Sequence, residues 1–214
     1  MPQNVPHMLK ILGKSTSINV RKVLWTCIEL NLPCELEAWG SGFQDTSAPD
    51  FLALNPNAMV PVMLDGEFSL WESNTICRYL AAQAGHTTLL PAQPRERAGV
   101  EQWMDWQIAE LNPSWRYAFL SLVRGSPAHQ DSALLKAGVA GWHRHMAILE
   151  TQLQSTGAFV TGSTFTLADV VLGLSTHRWF MCPMERPSLP GVEAYYLRLS
   201  ERPGFQQHGR NGIP

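Results

Sequence analysis

One stretch constrains this chain more than any other: Asn55-Pro56-Asn57-Ala58-Met59-Val60-Pro61-Val62-Met63-Leu64-Asp65-Gly66-Glu67-Phe68-Ser69-Leu70-Trp71-Glu72-Ser73. It predicts a loop ending at Val60-Pro61, a strand over Val62–Leu64, and an Asp65-Gly66 turn. A second strand over Phe68–Trp71 follows, then an acidic-hydroxyl pair that opens a helix. Asp-Gly between two apolar runs is the turn chemistry of a two-residue hairpin. Ile76, Tyr79 and Leu80 follow Ser73 at helical spacing.

These parts together suit a small peptide that carries an α-carboxylate and an α-amine. Before a proline the trans preference falls to roughly 0.5–1 kcal/mol, so a cis bond at Val60-Pro61 is accessible. That bond would leave the backbone of Val60 free to pair with an extended ligand as a short added strand. The helix start at Ser73 offers N–H groups and a dipole to a carboxylate, and Glu72 could meet an ammonium. The plainer alternative makes Ser73 an N-cap and Glu72 a first-turn acid.

Around this stretch the chain divides in two. Met8–Leu12 is a short apolar run, read as a buried strand. Val20, Val23, Leu24, Cys27 and Ile28 recur at the spacing of an amphipathic helix, ended by Asn31-Leu32-Pro33. Cys34–Ala38 alternates and is read as a half-buried strand, and a short helix is expected over 48–54. The order βαβ then ββα is that of a thioredoxin-like α/β domain, placed at residues 1–84. Gly85–Pro94 carries the glycine and prolines of a linker, and strand signals then fade. Residues 92–214 are expected to form an all-α domain, beginning with a long helical pattern over 95–124 that kinks or breaks at Asn112-Pro113. Another helix is expected over 132–153. Thr166-Leu167-Ala168-Asp169 is a capping-box variant opening an apolar helix through Val170, Val171 and Leu174. A final helix over Val192–Leu199 stops at Arg202-Pro203-Gly204.

Composition sets the remaining bounds. With 214 residues, 45% of them apolar and 16% charged, the chain can bury a sizeable core. A formal net charge of −2 gives no reason to expect nucleic acid or an anionic membrane as partner. No apolar run approaches the roughly 20 residues of a membrane span, and Met1–His7 lacks the basic-then-apolar layout of a signal peptide. Cys27, Cys34, Cys77 and Cys182 are scattered without metal-ligand spacing, which suits free, mostly buried thiols and a cytoplasmic setting. His143 and His145, two apart on a helix, point to different sides, so no metal site is expected.

Four segments together resemble the cytosolic glutathione transferases: Ser17–Lys22, Asn55–Pro61, Trp71–Tyr79 and Thr164–Asp169. The resemblance spans nearly the whole chain and is nearest to bacterial, serine-type members. It implies a glutathione-binding thioredoxin-like domain followed by a helical domain, acting in detoxification as a cytoplasmic homodimer. Glutathione is then a co-substrate held at Val60, Pro61, Glu72 and Ser73. Met59 would contribute through its backbone, and Asp105 could reach a ligand ammonium across a dimer interface. Trp115, Arg116, Tyr117 and Trp179 would line a pocket for a small electrophile.

Between the first strand and first helix, where redox relatives of this fold carry Cys-x-x-Cys, the chain has Ser17-Ile18-Asn19-Val20. No protein thiol is available there to attack a disulfide. A hydroxyl can instead donate to a bound thiolate and, with the helix N-terminus, favour ionisation of the ligand. Ser17 is the first candidate, Asn19 the second and Ser15 the third; Ser17 or Asn19 could also simply cap the helix. The activity implied is conjugation of the glutathione thiolate to small, largely apolar electrophiles. The alternatives are a glutathione-dependent disulfide or peroxide reductase, and a non-catalytic glutathione-binding module.

Overall fold

The computed structural model describes residues 8–214, so the reading of Met1–His7 lies outside it. The chain separates into two units, one ending at His86 and one beginning at Thr87.

The first unit contains β1 (Leu9–Gly13), α1 (Ile18–Glu29), β2 (Cys34–Ala38), α2 (Pro49–Leu54), β3 (Val62–Asp65), β4 (Phe68–Trp71) and α3 (Ser73–Gln83). The sheet runs β2-β1-β3-β4; β1 is parallel to β2 and antiparallel to β3, and β4 is antiparallel to β3. This is the thioredoxin-like α/β arrangement. Leu12 and Val62, paired across β1 and β3, share one face with Phe51 of α2, and Trp39, Leu54, Val60 and Leu64 pack on them. Strand side chains alternate between faces, so Ile11, Met63 and Gly13 belong to the opposite one. There a Cβ on Gly13 would stand 2.5 Å from a methyl of Val20, so the Val20 side chain of α1 packs directly on the backbone at the end of β1. Helix α3 packs alongside α1.

Two polar contacts fix how those helices align. Lys22 Nζ donates to Asn74 Oδ1 at 3.1 Å, and Thr26 Oγ1 donates to Cys77 Sγ at 3.2 Å. Moving along α1 therefore moves the same way along α3. The helices run parallel, with both N-termini at one end.

Local details depart from the sequence reading. Strand β2 forms but is not half-buried by alternation: Leu36 is 37% exposed and no residue of β2 is fully buried, because β2 is a sheet edge. The hairpin turn is Gly66-Glu67 rather than Asp65-Gly66. Asp65 pairs with Phe68 as the last residue of β3, and Gly66 takes φ 62° at the first turn position, where a II′ turn favours glycine. Asp65 is held in the strand because Oδ2 accepts from Tyr79 Oη at 2.9 Å and from Gln83 Nε2 at 3.0 Å, both on α3.

The second unit is helical: α4 (Pro94–Trp106), α5 (Asn112–Leu122), α6 (Ser132–Thr156), α7 (Leu167–Met181), α8 (Pro190–Leu199) and α9 (Pro203–His208). Thr87–Leu90, read as linker, belongs to this unit; Leu89 O accepts from Leu167 N at 3.0 Å. The interruption expected at Asn112-Pro113 takes the form of a π-helical turn over Gln107–Leu111, closed by Asn112 N donating to Gln107 O. Pro113 has no N–H to continue the α-helical ladder, and the wider turn absorbs the mismatch. Val192–Leu199 is not the final helix, because Pro203 sits in the first turn of α9, where its missing N–H costs nothing.

Helix α7 is the centre of this unit, with every residue from Leu167 to Trp179 buried. Its capping box forms as expected. Asp169 Oδ2 accepts from Thr166 N at 2.8 Å and from Thr166 Oγ1 at 3.1 Å, and Oδ1 accepts from Val160 N at 2.9 Å and Tyr195 Oη at 3.1 Å. Burial nevertheless pushes its carboxyl up to about 6, against the lowering effect of those bonds.

Candidate functional site

The site residues of the first unit gather at the end of the sheet where both parallel helices begin. Val60 is positioned from two sides. Its side chain packs on the cluster of Leu12, Phe51 and Val62. The loop before it is clamped by Asn55, which is 2% exposed: Nδ2 donates to Met59 O at 2.7 Å, and Oδ1 accepts from Asn57 N at 3.0 Å. The Val60–Pro61 bond is cis, as expected. The ladders to β1 and β4 start only at Val62, so the N–H and C=O of Val60 stand outside the sheet. Met59 is 63% exposed, so its side chain is not part of the packing.

Sheet register places the other residues around Val60. Val62 pairs with Leu12 on one flank and with Trp71 on the other. Continuing both antiparallel ladders by two residues brings the Lys14 end of the first loop to one side of Val60 and Glu72-Ser73 to the other. A Cβ at Gly13 would also lie 3.4 Å from Val60 Cβ, so the β1–α1 loop begins against Val60.

Glu72, not Ser73, is the N-cap of α3. It takes φ 72° and ψ 105°, is exposed, and its side chain makes no cap bond. A non-glycine residue in this region stores strain of order 1–3 kcal/mol, and such strain collects at functional sites. Ser73 is the first helical residue and is only 5% exposed. The capping alternative drawn from the sequence therefore does not hold for Ser73. The first-turn N–H groups of α3 receive no cap bond from the Glu72 side chain, and a helix start of this kind attracts an anion.

In the first loop Ser17 is the N-cap of α1, yet its side chain makes no cap bond. Its backbone does the local work, with N donating to Lys14 O at 3.0 Å and O accepting from Arg21 N at 3.0 Å. Asn19 lies in the first turn of α1; it and Ser17 are half-buried, whereas Ser15 is exposed in the turn. No cysteine occupies this loop. All four thiols are free, and Cys77 and Cys182 are pushed up to about 11 by burial.

The remaining candidates belong to the second unit. Asp105 is an exposed residue of α4. Trp115 and Trp179 are core side chains. Trp115 packs edge-on to Phe119 at 5.4 Å and beneath the Arg178 guanidinium at 4.7 Å, and Trp179 is 1% exposed. Arg116 is exposed, and the Tyr117 hydroxyl accepts from Asp131 N at 3.0 Å. Packing within the helical unit thus draws both tryptophans into its interior. Among the described residues no group of three His, Cys, Asp or Glu is placed to hold a metal ion.

Residues 12–88 match the family model of the glutathione S-transferase N-terminal domain, and 132–198 that of the C-terminal domain. The chain is 36% identical over 202 residues to glutathione S-transferase GstB of Escherichia coli K12, covering 94% of this chain and 97% of that one. The chain belongs to the glutathione S-transferase family.

Among solved structures of the family, a theta-class glutathione S-transferase from Xanthomonas axonopodis pv. citri with glutathione bound superposes with a TM-score of 0.89. It shares 36% identity over 96% of this chain and 99% of that one. Glutathione S-transferase 3 of Zea mays is 30% identical over 93% of this chain and 92% of its own length. Asn55 and Asn74 hold elements of the candidate site in place, through Met59 O and Lys22 Nζ, and the sequence reading gave them no role. For Asn55 the signal was present, since Asn55-Pro56-Asn57 is side-chain turn chemistry. Asn74 had none, because only tertiary packing brings it to Lys22.

Proposed function

We propose that this transferase binds glutathione on its first unit, ionises the thiol there, and conjugates the thiolate to small electrophiles. The observation that carries the reading is the convergence at one sheet end of Val60's unused backbone groups, two helix N-termini and the strained, exposed Glu72. The γ-glutamyl carboxylate lies at Ser73 and the first turn of α3, the γ-glutamyl ammonium faces Glu72, and the cysteinyl backbone pairs with Val60. The thiol then falls beside the β1–α1 loop, where Ser17 has an uncommitted hydroxyl and the N-terminus of α1 favours negative charge.

The chemistry asked of the protein is modest. A free thiol has a pKa near 8.5. Lowering it by about two units takes roughly 2.7 kcal/mol, the order supplied by one charge-assisted hydrogen bond together with a helix terminus. The attacking sulfur belongs to glutathione. The protein positions it and stabilises its charge.

The setting is cytoplasmic and the working form a homodimer, as the family resemblance implies; no helix among the described residues is long and apolar enough to cross a membrane. The test is calorimetric titration with glutathione, a pH titration of thiolate absorbance in the ultraviolet, and product analysis with a panel of electrophiles, disulfides and peroxides. Binding with a lowered thiol pKa and thioether products is expected. Oxidised glutathione as the only product would make the chain a reductase, and binding without ionisation would make it a binding module.

A further inference from the structure

At the other end of the sheet from the glutathione site, we propose that Cys27 and Cys34 form a redox-active dithiol, which glutathione disulfide closes into an intramolecular disulfide between α1 and β2. The fold brings the two together. Because β1 and β2 are parallel, α1 between them must run back along the sheet. It starts with Val20 against Gly13. Cys27 lies two turns further on the same helix face, about 10.5 Å along, and Leu9 lies about 13 Å back along β1 from Gly13. Leu9 pairs with Cys34, and Gly13 with Ala38, so Cys34 shares the sheet face that α1 covers. Between them the chain reverses tightly, with Asn31 at φ 53° and Leu32 N donating to Cys27 O at 2.9 Å.

The two thiols meet in a side-chain hydrogen bond, and their settings differ. Cys34 is half-buried on the edge strand, whereas Cys27 is 1% exposed. The shared bond holds the Cys34 thiol below its ordinary range, against burial, and the same bond followed by burial pushes Cys27 up. An accessible thiol that ionises beside a buried one that keeps its proton suits stepwise exchange. The Cys34 thiolate attacks one sulfur of glutathione disulfide, the disulfide's own bond breaks, and one glutathione leaves as a thiolate that takes up a proton. Cys34 in this mixed disulfide no longer offers a thiolate to the Cys27 proton. Cys27 then loses that proton and attacks Cys34 Sγ, and the second glutathione leaves in the same way. Two protein thiols are oxidised and one disulfide is reduced to two glutathiones. Cys77 is also close to Cys27, but it is fully buried and accepts from Thr26 Oγ1 at 3.2 Å.

The test incubates the reduced full chain with excess glutathione disulfide at neutral pH, traps the remaining thiols by alkylation, and reads intact mass and a peptide map. Cleavage after Glu29, Glu35 and Glu72 puts Cys27, Cys34 and Cys77 on separate peptides. Wild type is expected to lose two hydrogens, retain no glutathione, and yield linked peptides that carry Cys27 and Cys34. Cys27→Ser should stop with one glutathione on Cys34. Cys34→Ser should lose thiols about tenfold more slowly or worse, because only buried thiols remain. The wild-type map decides even if a variant fails to fold. Glutathione retained on Cys34, a Cys27–Cys77 link, or four thiols left unreacted would each overturn the pairing.

Discussion

The side-chain amide of Asn55 donates to the carbonyl of Met59 at 2.7 Å, and so holds down the residue immediately before Val60. Its carbonyl end accepts from both the backbone N and the side-chain amide of Asn57 at 3.0 Å. One buried amide thus fixes the path of the loop that presents Val60.

Asn55→Ala should therefore damage two properties together. Leaving buried backbone groups unpaired costs about 1–3 kcal/mol, and the midpoint of urea unfolding should fall accordingly. Glutathione affinity should drop as well, because Val60 is no longer held in register. Lost stability with unchanged affinity in calorimetry would show that Val60 is positioned by its packing on Phe51 alone.

Glu72 separates stability from binding in the opposite direction. Glycine tolerates φ 72°, so Glu72→Gly relieves strain of about 1–3 kcal/mol at an unfolded-state entropy cost of about 0.4–1 kcal/mol. Its thermal midpoint should rise. Its affinity for glutathione should fall by about 1.5–3 kcal/mol, the range for a hydrogen bond to a charged group. A variant that is less stable and binds normally would remove Glu72 from the site.

The activating side chain is tested by thiolate absorbance across pH for Ser17→Ala, Asn19→Ala and Ser15→Ala. Ser17→Ala should return the bound thiol toward its solution pKa and lower turnover at neutral pH by roughly ten- to a thousandfold, corresponding to about 1.4–4 kcal/mol of charge stabilisation. Glutathione affinity should change far less. A shift that survives Ser17→Ala and disappears in Asn19→Ala moves the role to the other half-buried residue.

Asp169 predicts a pH dependence of stability with a definite sign. Its folded pKa of about 6 lies above the ordinary aspartate value of 3.8, so between these values the folded state binds more protons than the unfolded one. The group's contribution is full below about pH 4 and is lost as pH rises through 6, by an amount of order 3 kcal/mol. In urea unfolding from pH 4 to 7, the advantage of wild type over Asp169→Asn should narrow as pH rises. An advantage that widens would mean that the four donors around the carboxylate outweigh its burial.

Local signals along the chain were enough for the order of its elements. Periodicity and turn residues set out βαβ and ββα, the helices beyond them and the Thr166–Asp169 box, because each of these signals is local: apolar spacing, a cap three residues from its partner, a proline or glycine at a break. Tertiary structure decided everything that depends on a neighbour distant in the chain. Alternation in Cys34–Ala38 suggested a half-buried strand, but burial depends on which strands flank it, and β2 has a neighbour on one side only. Nothing local to Trp115 and Trp179 distinguishes a pocket wall from a core; packing against Phe119 and Arg178 buries Trp115, and Trp179 is 1% exposed. The positive φ of Glu72, the parallel alignment of α1 and α3 through Lys22–Asn74, and the nearness of both Lys14 and Val60 to Gly40 have no local signature. They arise only when the sheet register brings residues 14, 60 and 72 to the same end of one unit.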